Sequence, residues 1–211
     1  MKKYAIIVAG GKGLRMRSDQ PKQFLEIDGK PILAITISRF LDIQDVNVIV
    51  VLPADFVSYW GEQQEQIFPD KEIQLVVGGK TRTESVRAGL DSIKDDGVVA
   101  IHDAVRPFVS ASVINSSFDS AEKFGSGVVA VDLKDSLRKK SSDGSLAVNR
   151  ENYVIVQTPQ TFRISEIKEA YKNAEESYSD DATVYEKSGY VVKLVEGDYG
   201  NIKITTPEDL K

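Results

Sequence analysis

The feature that most constrains this chain is an alternation of short apolar runs with helix-like segments. Tyr4–Ala9 is a β-branched run that stops at Gly10-Gly11. Val46–Leu52 is an unbroken Val/Ile/Leu-rich run apart from Asn47, the pattern of a strand buried on both faces. Ile73–Val77 stops at Gly78-Gly79, Val98–Ile101 stops at His102-Asp103, and Gly127–Val131 is a further strand. Helical segments fall between them: Pro31–Leu41 with Pro in the first turn, Ala54–Phe68, Thr83–Ile93 and Ser110–Phe124. A β-α unit repeated about five times predicts an α/β fold with a mostly parallel sheet and helices on both faces. Ligands of such sheets sit at the carboxyl ends of the strands. There, Gly10-Gly11, Gly78-Gly79 and His102-Asp103 should converge on one rim.

The rhythm breaks over Asp132–Val156. That segment is polar and turns at Ser142-Asp143-Gly144-Ser145, a hairpin signal. A hairpin without a core of its own projects as an arm or packs on a partner. Helices are expected around Ser165–Glu176 and Asp181–Ser188, and a strand at Tyr190–Val195. The chain ends on what reads as a helical first turn cut short, with Thr206 as cap and Pro207 at the first position. No internal repeat or linker divides the sequence, so residues 1–211 are expected to form a single domain with the arm at about 132–156.

Composition matters for what it excludes. With no Cys, cysteine catalysis and thiolate metal sites are out, and one His rules out a multi-His metal site. A net charge of −5 argues against a nucleic-acid binder. No apolar run is long enough to span a membrane. The basic-then-apolar start stops too soon for a signal peptide, so a cytoplasmic protein is expected.

The charge is unevenly spread. Between Met1 and Pro31, seven Lys/Arg face three Asp/Glu, and the acidic excess lies in the rest. Within that stretch runs Ala9-Gly10-Gly11-Lys12-Gly13-Leu14-Arg15-Met16. Three glycines after a strand make either a plain tight turn or a backbone cradle for an anion. The spacing fits neither a Walker A loop nor the dinucleotide fingerprint. Arg15 and Lys22 flanking the turn suit a polyphosphate, although each cation alone reads as a solvated surface charge. Asp103 on the rim either holds Mg²⁺ together with phosphate oxygens and water or caps the following helix. His102 reads as a structural hydrogen-bonder rather than a base. Lys203, between apolar neighbours in Gly200-Asn201-Ile202-Lys203-Ile204, faces either the rim or solvent.

Six blocks, taken in order, resemble the 2-C-methyl-D-erythritol 4-phosphate cytidylyltransferase family. They are the glycine segment above, Pro21-Lys22-Gln23-Phe24, Gly78-Gly79-Lys80-Thr81-Arg82-Thr83-Glu84-Ser85-Val86, His102-Asp103-Ala104-Val105-Arg106-Pro107, Gln157-Thr158-Pro159-Gln160 and Asn201-Ile202-Lys203-Ile204-Thr205. The related ribitol-5-phosphate cytidylyltransferases share most of them. The wider class has a Rossmann-like nucleotidyltransferase fold and shares only the first block.

The resemblance implies CMP transfer from CTP to methylerythritol phosphate, with pyrophosphate released, in the non-mevalonate isoprenoid pathway. It implies Arg15, Lys22 and Lys203 around the α-phosphate and Gly11, Lys12 and Gly13 along the triphosphate. Ala9, Gly10, Gly79 and Ser85 would line the cytosine pocket, and Asp103 and Ala104 would flank the ribose. Asp103 would also hold Mg²⁺ or another divalent cation. A homodimer is implied through the arm, whose Ser136 and Arg150 would reach the neighbour's acceptor, with Arg106, Thr158, Ser179 and Asp180 nearby in cis. The chain departs from the family pattern at Lys80, where an acidic residue is frequent, and at Ser136 and Ser179, where Thr is common. It also differs at Asn149, where Asp is usual, and at Arg17, where a small residue is frequent.

Overall fold

The computed structural model describes residues 1–10, 21–172, 174 and 178–210. Seven strands form one sheet in the order β11-β7-β10-β6-β1-β4-β5. They are β1 (Lys3–Val8), β4 (Val46–Leu52), β5 (Ile73–Val77), β6 (Val98–Asp103), β7 (Ser126–Asp132), β10 (Val154–Arg163) and β11 (Leu194–Glu196). The helices are α1 (Ile32–Leu41), α2 (Ala54–Ile67), α3 (Arg82–Ser92), α4 (Ala111–Phe124), α5 (Ile164–Lys172) and α6 (Asp181–Lys187). Two small strand pairs stand beside the sheet: β2 (Glu26–Ile27) with β3 (Lys30–Pro31), and β8 (Arg138–Ser141) with β9 (Gly144–Ala147).

Alternate residues of the central strands feed two cores, as the two-residue period of a strand requires. Ala5 and Ile7 of β1, Val48, Val50 and Leu52 of β4, and Val98 and Ala100 of β6 pack with residues of α1, α2 and α4. Ile6, Ile49, Val51, Val99 and Ile101 point the other way, into a core closed by α3, α5 and α6. Both faces are therefore covered, which is why β4 carries no regular polar alternation.

Topology places the site. From β1 the chain steps outward to β4 and then β5, and α3 returns it across the sheet to β6 on the other side of β1. The direction of winding reverses between β1 and β6, and the crevice at such a reversal is where ligands bind. There Val8 lies level with both Val51 and Asp103.

Several boundaries differ from those the sequence predicts. Pro31 sits at the N-cap of α1 with extended ψ, one place before the first turn, because it already pairs in β3. The expected strand at 190–195 forms only as Leu194–Glu196, at the sheet edge beside β7. The C-terminal turn Pro207–Leu210 is a 3-10 helix. Thr206 stands just before it and Pro207 is its first residue, as expected; the Thr206 hydroxyl donates to the Asp209 carboxylate, which also accepts from the backbone N–H groups of Thr205 and Thr206. Strand β10 is not among the expected strands: it runs antiparallel to both β6 and β7, with a register shift between Val156 and Gln160 around the cis peptide Thr158-Pro159. The hairpin β8–β9 stands apart from the main sheet with all eight of its residues exposed.

Candidate active site

A cavity of about 850 Å³ opens over the carboxyl ends of β1, β4, β5 and β6. Ala9, Gly10, Lys22, Gly79, Ser85, Asp103, Ala104 and Lys203, all expected at the site, line it together. Each is delivered by a local cause. Lys22 begins a single 3-10 turn, Lys22–Phe24. Gln23 is buried and its amide donates to the Ala9 carbonyl at 2.7 Å, tying the turn to the end of β1. Phe24 pins it from below, stacking on Trp60 at 5.8 Å and meeting Phe56 at 5.3 Å between centroids. The Lys22 ammonium donates to the carbonyl of Ile204 at 3.5 Å.

Gly78-Gly79 delivers the chain into α3. A Cβ on Gly79 would lie 2.2 Å from the Glu84 Cβ, so this turn has no room for a side chain. The room is taken by a capping box. Thr81 accepts from the Glu84 N–H at 3.1 Å, and the Glu84 carboxylate accepts from the Thr81 N–H at 3.3 Å and the Lys80 N–H at 2.5 Å. Ser85 is buried against this turn, its hydroxyl donating to the Thr81 carbonyl at 2.9 Å.

Asp103 is the electrostatic centre. Its Oδ2 receives the Lys203 ammonium at 2.7 Å and lies 3.8 Å from the Arg106 Nε, while Oδ1 lies 3.9 Å from the Arg82 Nε. Burial pushes its pKa up, but Lys203, Arg82 and Arg106 together hold it down at about 2, so it is ionised throughout the physiological range. Lys203 faces the rim, held by this pair with its side chain 41% exposed. Its loop is braced from below: the Arg106 guanidinium donates to the Asn201 carbonyl at 2.7 Å, and the Asn201 amide donates to the Thr158 carbonyl at 2.8 Å.

Beneath Asp103, its N–H donates to the Thr158 hydroxyl at 3.1 Å, and that hydroxyl meets His102 Nδ1 at 3.1 Å. His102 Nε2 lies 3.1 Å from the Arg106 carbonyl. Since a carbonyl only accepts, Nε2 carries the proton and Nδ1 accepts from Thr158. Burial drives the His102 pKa down to about 4. The ring is neutral, fully enclosed and edge-on to Phe40, a structural group rather than a base.

The remaining expected residues fall into four groups. Gly11, Lys12, Gly13 and Arg15, with Arg17, lie outside the described residues. Arg106 and Thr158 are next to Asp103 but do not line the cavity; they carry the rim rather than face it. Asp180 caps α6, accepting from the Thr183 N–H at 3.0 Å, with exposed Ser179 just before it. Ser136 and Arg150 are exposed on the arm segment, where the Arg150 guanidinium donates to the Lys134 carbonyl.

Arg82, to which no role was expected, completes the rim, and buried Asp181 holds it from behind. Arg82 lines the cavity and forms a two-pronged ion pair with buried Asp181. Its spacing gave a signal: it follows the capping Thr81, so it starts α3 beside the glycine turn. Nothing in the sequence pairs it with a carboxylate 99 positions away.

A doubly covered, mostly parallel sheet, a glycine-rimmed crevice at its reversal point and lysines around an ionised carboxylate define an α/β nucleotidyltransferase-type fold and site. The profile of the 2-C-methyl-D-erythritol 4-phosphate cytidylyltransferase family matches residues 4–211. The enzyme of that name from Porphyromonas gingivalis is 47% identical over 211 residues, covering 99% of this chain and 95% of the relative. Its counterpart in Bacteroides thetaiotaomicron is 43% identical and covers 100% and 97%. The crystal structure of the 4-diphosphocytidyl-2C-methyl-D-erythritol synthase from Anaerococcus prevotii superposes with a TM-score of 0.87 at 30% identity, covering 99% of this chain and 92% of that one. The chain belongs to the 2-C-methyl-D-erythritol 4-phosphate cytidylyltransferase family.

Proposed function

We propose that this chain is the enzyme that joins CTP and 2-C-methyl-D-erythritol 4-phosphate, giving CDP-methylerythritol and pyrophosphate in the non-mevalonate isoprenoid pathway. The observation that carries this reading is the convergence of Lys22, Lys203 and Asp103 with the glycine ends Gly10 and Gly79 on one cavity. A phosphate oxygen of the acceptor forms the new bond to the α-phosphorus of CTP, and the bond from that phosphorus to the bridging oxygen breaks as pyrophosphate leaves. The nucleophile is already an anion, so no general base is needed, in keeping with a His102 that is neutral and enclosed. The barrier lies in gathering anions and stabilising the charge that builds on them, which fixed cations do. Lys22 and Lys203, both lining the cavity, supply that charge, with Arg15 assigned the same role by resemblance. Ala9, Gly10, Gly79 and Ser85 offer backbone groups and one hydroxyl to the base.

Among the described residues, no group of three His, Cys, Asp or Glu could cage a metal. One rim carboxylate fits a cation whose other ligands are phosphate oxygens and water. Asp103 is the residue to hold Mg²⁺ or another divalent cation, which would neutralise the triphosphate.

The homodimer belongs to the same reading. Leu146 at the hairpin and Tyr153 and Ile155 at its foot are exposed apolar side chains, which a second copy would cover. Ser136 and Arg150 would then serve the partner's acceptor site. A cytoplasmic location accords with the absence, among the described residues, of any helix long and apolar enough to cross a membrane.

The test is pyrophosphate release with CTP and Mg²⁺ against a panel of polyol phosphates. Turnover is expected with methylerythritol phosphate. Turnover with ribitol 5-phosphate and none with methylerythritol phosphate would move the chain to the neighbouring acceptor class, and binding of CTP without any turnover would make it a non-catalytic nucleotide-binding protein.

A further inference from the structure

Arg82 stands between two carboxylates and is committed to the one farther from the reacting groups. Its Nη1 and Nη2 donate to Asp181 Oδ1 and Oδ2 at 2.8 and 2.6 Å. Its Nε stops 3.9 Å from Asp103 Oδ1, an ion-pair distance too long for a hydrogen bond. As the first residue of α3, the guanidinium sits at the positive end of a helix, where a cation is disfavoured unless a carboxylate compensates it.

Asp181 is that carboxylate, and it is fixed. It is fully buried, the Tyr171 hydroxyl donates to its Oδ1, and the N–H groups of Asp181 and Ala182 both donate to the Gln160 side-chain oxygen at 3.0 and 2.8 Å. Gln160 in turn belongs to β10, two residues beyond the Thr158 that supports Asp103. The anchor and the rim carboxylate thus hang from one strand.

On the other side, Asp103 Oδ2 is taken by Lys203. Among the described residues, that leaves Oδ1 as the oxygen on which a cation would have to land. Without Asp181, the Arg82 fork would be left largely buried with no acceptor, which is costly. Asp103 is the carboxylate within reach. A fork closed on Oδ1 would use its lone pairs and set a positive charge against any incoming cation.

We propose that Asp181 is a positioning residue that sequesters the Arg82 guanidinium, keeping Asp103 Oδ1 open to a divalent cation bound with the nucleotide. This rests on the reading of Asp103 as the metal-holding carboxylate.

The experiment measures CTP binding by equilibrium dialysis with and without Mn²⁺, no acceptor being present so that no turnover occurs. The quantity read is the factor by which Mn²⁺ tightens CTP binding, in wild type, Asp103→Asn, Asp181→Asn and the double variant Arg82→Met/Asp181→Asn. Asp103→Asn should abolish the factor, Asp181→Asn should cut it by about tenfold, as loss of an outer partner does at metal sites, and the double variant should restore it. Damage to the fold alone predicts no such restoration. If Asp103→Asn keeps the factor, the metal reading of Asp103 falls. If Asp103→Asn abolishes it but Asp181→Asn keeps it, or the double variant stays low, the positioning role falls. Should Asp181→Asn fail to fold, the double variant decides by itself: a wild-type factor sustains the proposal and a lost factor overturns it.

Discussion

At the scale of single residues, two lysines and one carboxylate carry opposite duties within a few ångströms. Lys203 pairs with Asp103 at 2.7 Å, and Lys22 reaches the carbonyl of Ile204, the next residue along. Both cations therefore border the same stretch of rim. Their charge matters most when negative charge peaks on the transferring phosphoryl group. Lys22→Ala and Lys203→Ala should each lower kcat by about 10²–10³ with a much smaller change in KM. Steady-state kinetics with CTP and methylerythritol phosphate check this; an effect confined to KM would mean that the lysines only bind ground-state substrate. His102 shows how neighbours in sequence can differ in kind. One residue from the ionised Asp103 it is neutral, because it lies under the sheet rim, where desolvation outweighs any stabilisation of its charged form.

At the scale of elements, the turn from β5 into α3 does most to shape the pocket. Gly79 leaves room for Glu84, Glu84 and Thr81 close a capping box, and that box sets where Arg82 and Ser85 begin the helix. Thr81→Ala should cost about 1 kcal/mol, read as a lower urea midpoint, because one orphan N–H of the first turn loses its acceptor. It should also raise the KM for CTP, since without the cap the turn that carries Gly79 and Ser85 on the pocket lining is held less firmly. Both pieces of the box were present in the run Thr81-Arg82-Thr83-Glu84, yet α3 starts at Arg82 rather than the expected Thr83 because the cap falls one residue earlier. Strand β10 was illegible for a different reason. Its pairing partners β6 and β7 lie decades of residues upstream, and its Gln157-Thr158-Pro159-Gln160 segment carries a cis proline and a register shift instead of a regular alternation.

At the scale of the molecule, the arm is the part that this chain alone does not explain. An isolated two-stranded hairpin is marginal in water, and β8–β9 is exposed along its whole length with Leu146 at 63%. The proposed homodimer would supply that cover. If Arg150 serves the neighbour's site, inactive Arg150→Ala and Lys22→Ala subunits should complement each other on mixing. Half of a random mixture is heterodimer with one intact site, so recovery should approach about a quarter of the wild-type rate. No recovery in heterodimers confirmed by mass would overturn a trans arm.

The alternation of apolar runs with amphipathic segments determined the α/β class and the parallel core, because strand and helix periods follow from local stereochemistry and burial. It also determined that Gly10, Gly79 and Asp103 would end strands on one rim, since parallel strands all point the same way. The tertiary structure alone decided which charges meet. Lys203 joins Asp103 across 100 positions and Arg82 joins Asp181 across 99, and such pairings depend on how β10 threads between β6 and β7. Ion pairs leave no local pattern in a sequence: a cation exposed and a cation buried against a carboxylate are the same letter until the fold brings the carboxylate to it.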